Sequence, residues 1–362
     1  INGLISPDEL TLKLLKNDTR PRLPYVIDPS CGSGTFLIEI MKLITSRLTS
    51  TKQLHLNKAA NEIYGSCFRH PTKPNIWAED YLYGIEPRPD LGLASKVNMI
   101  LHGDGNMNIF IEDGLRKFDY RGYERIWEKK DQGRLCFNAT DKHYGKQTNE
   151  AFEVIVSNPP FSIDTEALES APTLPESFYY HNKNNSENIF IERYYQLLAE
   201  NGFLGVVLPE TFFDTDDNTY IRCFLYKFFK VKAVVSLPPE AFEPHTKTKT
   251  SILLAQKKTK DELYEFEKSW KKASNKYTKL RGHKFLQLIL ENDKQRNELK
   301  AVISRCKQPF YLDYHLLFSP DGKSMIDALI SQISLSDKAK KRVMAVKSWA
   351  DETSGLAIKK SD

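Results

Sequence analysis

One stretch restricts the folds open to this chain more than any other. A short apolar run, Tyr25-Val26-Ile27, stops at Asp28 and gives way to Pro29-Ser30-Cys31-Gly32-Ser33-Gly34, and a helical pattern follows from residue 35 to about 49. Strand, glycine turn and helix in that order begin a βαβ unit. Glycines directly after a strand let a ligand approach the backbone, and the helix behind them presents unpaired N–H groups. The spacing is Gly-x-Gly rather than the Gly-x-Gly-x-x-Gly of dinucleotide sites. A lone Gly-x-Gly fits any strand-to-helix turn, but Asp28-Pro29 ahead and Thr35-Phe36 behind make this one specific. The Asp28 carboxylate is suited to an ammonium group or a polar linker.

The pattern continues in the same sense. Residues 8–15 form a short helix, with Ser6 as a cap and Pro7 in the first turn. Tyr81-Leu82-Tyr83-Gly84-Ile85 is a second strand ending at Glu86, residues 91–101 a helix, and Asn108-Ile109-Phe110-Ile111 a third strand ending at Glu112-Asp113. Phe152-Glu153-Val154-Ile155-Val156 is a central strand that stops at Ser157-Asn158-Pro159-Pro160-Phe161. Further strands are expected over 203–208, 232–237 and 251–255. An amphipathic helix over 187–200 is stopped by Asn201-Gly202, and another helix covers 220–229. Residues 116–150 read as an insertion or long loop, and 162–185 as a mobile loop. Alternating strands and helices imply an α/β fold with a mostly parallel, doubly wound sheet. After Lys257 the pattern changes to charged helical stretches, which divides the chain into an α/β domain over 1–258 and a mainly helical extension over 259–362.

Two acids and one corner carry the chemistry. Glu86, about fifty residues after the glycine turn, suits a pair of ribose hydroxyls, and Asp113 suits an adenine amino group. Either acid alone reads as an ordinary surface carboxylate. Their placement at strand ends along one edge of an open sheet is where ligands bind in this architecture. The corner is Asn158-Pro159-Pro160-Phe161. An adenine N6 amine is a poor nucleophile, because its lone pair is delocalised into the ring. Two acceptors fixed on its hydrogens favour a pyramidal nitrogen and offset the charge that develops during attack. The Asn158 side-chain carbonyl and the Pro159 backbone carbonyl can supply them. Consecutive prolines stiffen the backbone and add no competing donors, and Phe161 offers a face for a base.

Composition excludes several alternatives. The 362 residues suffice for one large domain with an appendage. No apolar run approaches the ~18 residues that span a bilayer, so no membrane is expected. The start, Ile1-Asn2-Gly3-Leu4, is not a signal peptide, and without an initiator Met it suggests a fragment. Five scattered cysteines with no C-x-x-C spacing argue against disulfides or bound zinc and for a reducing cytoplasm; no metal is expected. Residues 259–362 hold 21 Lys and Arg against 14 Asp and Glu, while the rest is near neutral. Such a tail suits a polyanionic partner or a solvated helical surface equally.

Asp28-Pro29-Ser30-Cys31-Gly32-Ser33-Gly34-Thr35-Phe36 followed by Asn158-Pro159-Pro160-Phe161 resembles the methylation subunits of type I restriction–modification systems, an N6-adenine DNA methyltransferase family. Gly84-Ile85-Glu86, Asn98 to Gly103, Asn108-Ile109-Phe110, Gly202 to Pro209 and Ser236 to Leu253 are similar to other motifs of that family, so the likeness covers roughly residues 3–258. The resemblance implies a Rossmann-like methyltransferase sheet with a reversed hairpin at its far edge. It also implies S-adenosyl-L-methionine as cofactor, double-stranded DNA as acceptor, and specificity and restriction subunits as partners in trans. Carried over to this chain, the cofactor would be held by Asp28, Pro29, Cys31, Gly32, Ser33, Gly34, Thr35, Phe36, Glu86 and Asp113. Asn158, Pro159, Pro160 and Phe161 would be catalytic, with Phe242 and His245 as candidates for a second base-facing side chain. Where the family has an aromatic before Thr-Pro, this chain has Leu4-Ile5-Ser6-Pro7, and the family's preceding helical domain is absent from it. Two other readings stay open: a methyltransferase acting on RNA or on a protein glutamine amide, and a non-catalytic cofactor-binding subunit. A cysteine-nucleophile mechanism is disfavoured, because no Pro-Cys dipeptide occurs.

Overall fold

A computed structural model of the chain describes residues 7–17, 20–50, 55–103, 108–118, 134–136, 139–161, 168, 170–181, 185–242 and 248–277. The chain divides into two units, Ile1–Lys260 and Asp261–Asp362. In the first unit, helix α1 (Pro7–Leu15) packs on α2 (Thr35–Ser50), which follows strand β1 (Val26–Asp28) and the glycine turn. The buried residues of α2, Leu37, Ile38, Met41, Ile44 and Leu48, recur at helical spacing and so lie along one face. Helix α3 (Lys58–Phe68) starts where the Asn57 side chain accepts the Ala60 N–H at 2.8 Å, a cap that satisfies one of the helix's free donors. The short α4 (Ala78–Tyr81) leads into β2 (Leu82–Ile85), α5 (Pro89–Leu101) and β3 (Asn108–Phe110).

The chain then crosses back. A two-stranded hairpin, β4 (Ala139–Thr140) with β5 (Gln147–Thr148), precedes β6 (Phe152–Ser157). After β6 come α6 (Leu174–Ser177), α7 (Ser186–Leu197), β7 (Leu198–Pro209), α8 (Thr211–Asp214), α9 (Thr219–Phe228), β8 (Phe229–Ser236) and β9 (Thr250–Lys257). These strands make one seven-stranded sheet in the order β3-β2-β1-β6-β7-β9-β8. Strands β3, β2, β1, β6 and β7 pair in parallel, whereas β9 runs antiparallel to both β7 and β8. The mostly parallel α/β sheet with a reversed hairpin at its far edge is therefore observed. Strand order turns back between β1 and β6, and in open parallel sheets a crevice forms beyond the carboxyl ends of the strands at such a point.

Sequence and structure part company around α7. All twelve of its residues are buried, so it is not amphipathic. Its polar side chains are paired inside the fold instead. Glu192 accepts from the Tyr144 hydroxyl and from the Tyr179 and Tyr180 N–H groups, Arg193 donates to the Leu115 and Arg116 carbonyls, and Gln196 donates to the Ser177 carbonyl. The helix also stops earlier than its sequence suggests, and β7 begins at Leu198 and runs straight through Asn201-Gly202. Buried Lys257 explains the stop, because it donates to the Tyr195 and Leu198 carbonyls at 2.9 and 2.7 Å. Part of the presumed long loop is ordered too. The β4–β5 turn places Asp141 and Tyr144 against α7, with the Tyr195 hydroxyl donating to Asp141 at 3.0 Å. Of the segment read as mobile, residues 162–167, 169 and 182–184 lie outside the described residues. Leu174, Phe178 and Tyr180 in the remainder are buried. In the second unit the described residues continue α10 (Lys260–Tyr277) as far as Tyr277. Among the described residues no helix is long and apolar enough to cross a membrane.

Candidate functional site

The turn after β1 owes its shape to two left-handed glycines, Gly32 (φ 53°) and Gly34 (φ 83°). A side chain at Gly34 would begin 2.5 Å from Ser95 Oγ on α5. That helix also holds the turn through Asn98, whose Nδ2 donates to the Ser33 carbonyl at 3.0 Å. Gly32 differs, because among the described residues no atom beyond its chain neighbours lies within 4 Å of where a side chain would start. One glycine permits packing and the other leaves room. Thr35 and Phe36 open α2, and both are exposed.

Asp28, at the end of β1, is buried, and among the described residues no cation pairs with it. Its Oδ1 accepts from the Ser157 hydroxyl at 2.7 Å and from the Ser30 N–H at 3.0 Å, and the Ser30 and Ser157 hydroxyls lie 2.8 Å apart. Burial raises its carboxyl to about 7, and the Ser157 and Ser30 hydrogen bonds offset only part of that rise. The Tyr194 hydroxyl of α7 is buried nearby, beside Ser157, Ser30 and Asp28. Cys31 faces Ser95, with its thiol pushed well above the usual range by burial, so it is no thiolate nucleophile.

The second and third acids close around the same turn. Glu86 follows β2 and accepts from the Gly32 N–H and the Arg88 N–H, each at 3.0 Å. Asp113 lies three residues beyond β3 and accepts from the Leu115 N–H at 2.9 Å and from the Ser170 N–H at 3.2 Å. Between them, Gly114 presses its backbone on Pro29, and a Cβ there would overlap the Pro29 carbonyl. Sheet order thus gathers Asp28, Pro29, Gly32, Glu86 and Asp113 from three separate strands. Three carboxylates around an open glycine turn match an ammonium, a ribose diol and an amino group, so the residues present fit S-adenosylmethionine.

The corner follows directly on the residue that holds Asp28. After Ser157 the chain turns at Asn158, whose Oδ1 is buried and has no hydrogen-bond partner. A buried carbonyl left unpaired is costly, and a ligand that donates to it would remove the cost. The Pro160 carbonyl is already taken by the Ser186 hydroxyl at 2.8 Å. Pro159 is buried, and Phe161 is half-buried. Phe242 ends a single 3-10 turn, Pro239–Phe242, after β8, which runs parallel to β6 and leaves the same sheet edge. His245 and Ser6 lie outside the described residues. Thr250, opposite Pro209 at that edge, also buries a hydroxyl with no partner. Sequence reasoning missed Ser157, Gly114 and Ser170. Ser157 was detectable as the last residue of the central strand; the other two are recognisable only through partners distant in sequence.

The family model described as N-6 DNA Methylase matches residues 6–304. The chain is 25% identical over 241 residues to the type I restriction enzyme MpnII methylase subunit of Mycoplasma pneumoniae, covering 64% of this chain and 35% of that protein. It is 30% identical over 141 residues to the type II restriction enzyme and methyltransferase RM.Eco57I of Escherichia coli, covering 36% of this chain and 14% of that one. The chain thus spans about a third or less of the length of these relatives. Among solved structures, a modification subunit of a putative type I restriction enzyme from Vibrio vulnificus is similar with a TM-score of 0.43 and 21% identity, over 64% of this chain and 40% of that one.

Proposed function

This chain belongs to the N-6 DNA Methylase family, and from that premise we propose that it transfers a methyl group from S-adenosyl-L-methionine to N6 of adenine in double-stranded DNA. It does so in the cytoplasm as the modification subunit of a restriction–modification system. One observation carries the reading. Asn158 Oδ1, buried and unpaired, follows directly on Ser157, which is hydrogen-bonded to the carboxylate of the glycine turn.

The cofactor would supply an electrophilic methyl on a sulfonium, and the rest belongs to the chain. Asp28 holds the ammonium, Glu86 the ribose hydroxyls and Asp113 the adenine amine, while the turn from Pro29 to Phe36 shapes their spacing. The target adenine leaves the duplex stack and rests on Phe161. Asn158 Oδ1 and the Pro159 carbonyl accept its two N6 hydrogens, which localises the lone pair and offsets the charge that develops on nitrogen. Pro160 keeps the corner stiff, and Phe242 and His245 are the candidates for a second base-facing side chain. Positioning and electrostatics provide the rate, without a covalent enzyme intermediate. Specificity and restriction subunits act in trans, with the basic extension 259–362 as their docking segment or as a grip on phosphates.

Labelled cofactor offered DNA, RNA and a glutamine-bearing protein in parallel tests the acceptor. Label is expected in DNA adenine, and label in either other acceptor would refute the reading. Asn158→Ala is expected to lower methyl transfer by about 10²–10³-fold or more with cofactor affinity unchanged. Near-normal turnover would remove Asn158 from the mechanism.

A further inference from the structure

Ser170 lies where the chain returns from beyond the diproline corner, and packing alone does not explain its pose. Its backbone is fixed at both ends. The N–H donates to Asp113 Oδ2 at 3.2 Å, and the carbonyl accepts the Thr173 N–H and hydroxyl at 2.9 and 3.0 Å. The side chain between these anchors is 1% exposed, yet its hydroxyl has no hydrogen-bond partner. A buried hydroxyl normally finds one, so an orphan pinned beside a 6% exposed carboxylate points to a ligand that completes it.

The chemistry of that ligand follows from its neighbour. Under the function proposed above, on which this inference rests, Asp113 takes the amino group of the cofactor's adenine. In adenine that amine is flanked by two ring nitrogens, N1 and N7, which only accept hydrogen bonds. A hydroxyl on the residue whose own N–H binds that carboxylate can donate to one of them. We propose that Ser170 is a second specificity-determining contact for the cofactor's purine, donating from Oγ to the ring nitrogen next to the amine. Asp113 then requires a donor and Ser170 an acceptor, side by side. Ser170 and Asp113 are 1% and 6% exposed, so a purine held by both would be desolvated, and a mismatch would leave a buried polar group unpaired.

Calorimetry on the full chain tests this with S-adenosylhomocysteine and its 1-deaza and 7-deaza counterparts, using wild type and Ser170→Ala, alongside thermal unfolding without ligand. The substitution is expected to weaken S-adenosylhomocysteine about tenfold, the weight of one hydrogen bond. It should make no difference to the deaza compound that lacks the contacted nitrogen. The ligand-free unfolding midpoint should hold or rise, because an orphan hydroxyl has been removed. Unchanged affinity in Ser170→Ala would overturn the proposal. So would an equal loss for both deaza compounds with a lowered midpoint, the mark of a purely structural serine. Wild-type protein that binds none of the three compounds would overturn the underlying function as well.

Discussion

Asp28 carries a charge that its surroundings disfavour. Its carboxyl titrates at about 7 in the fold against 3.8 when solvated, because burial outweighs the hydrogen bonds from Ser157 and Ser30. The sign of the consequence is fixed. Below about pH 4 the group is protonated in both folded and unfolded chains. Between about 4 and 7 only the unfolded chain ionises, so stability falls as pH rises and levels off above 7. Glu192, also buried and raised to about 7, adds a slope of the same sign. Comparison with Asp28→Asn isolates the first contribution. In urea unfolding the variant should gain up to about 4 kcal/mol over wild type at pH 8 and little at pH 4. An ammonium ligand would stabilise the ionised form, so affinity for the cofactor should tighten as pH rises through 7 in wild type and not in the variant.

Helix α7 shows why some elements escape sequence reading. Periodicity detects a helix by the contrast between its faces, and a helix buried all round with polar residues has none to offer. Glu192, Arg193 and Gln196 look like a solvated face until their partners, Tyr144, Leu115 and Ser177, are known, and each comes from another part of the chain. Helix α3 was missed for a simpler reason. Its sole sharp signal is one capping residue, Asn57, before a stretch with few large apolar side chains. The boundary of α7 rests on Lys257, which is 1% exposed and bound to two carbonyls and to Glu150 at 2.8 Å. Lys257→Met should leave those carbonyls buried and unpaired. A loss of about 3 kcal/mol in denaturant unfolding is expected, and an unchanged midpoint would show that the α7–β7 junction is held by something else.

At the scale of the whole molecule, the sheet was legible because each of its first strands is an apolar run stopped by a chemically meaningful residue: Asp28, Glu86, Asn158. What no pattern disclosed was which loops reach back to them, since the contacts of Gly114 with Pro29 and of Ser170 with Asp113 depend on three-dimensional return paths. The docking role proposed for residues 259–362 has a direct test. Truncation after residue 258 should preserve cofactor affinity, weaken DNA binding and flatten its dependence on salt, as expected when phosphate contacts are lost. Unaltered DNA and subunit binding would separate the tail from both tasks. A last point concerns β1 and β6, which pair in parallel with Ile27 beside Ile155. Neighbouring strands stand about 4.8 Å apart, an interval fixed by peptide geometry that side-chain substitution does not retune. Under the proposed function, the donor pocket after β1 and the acceptor corner after β6 are therefore mounted on a common ruler. On that reading, substitutions in the surrounding loops leave the gap across which the methyl would move constant.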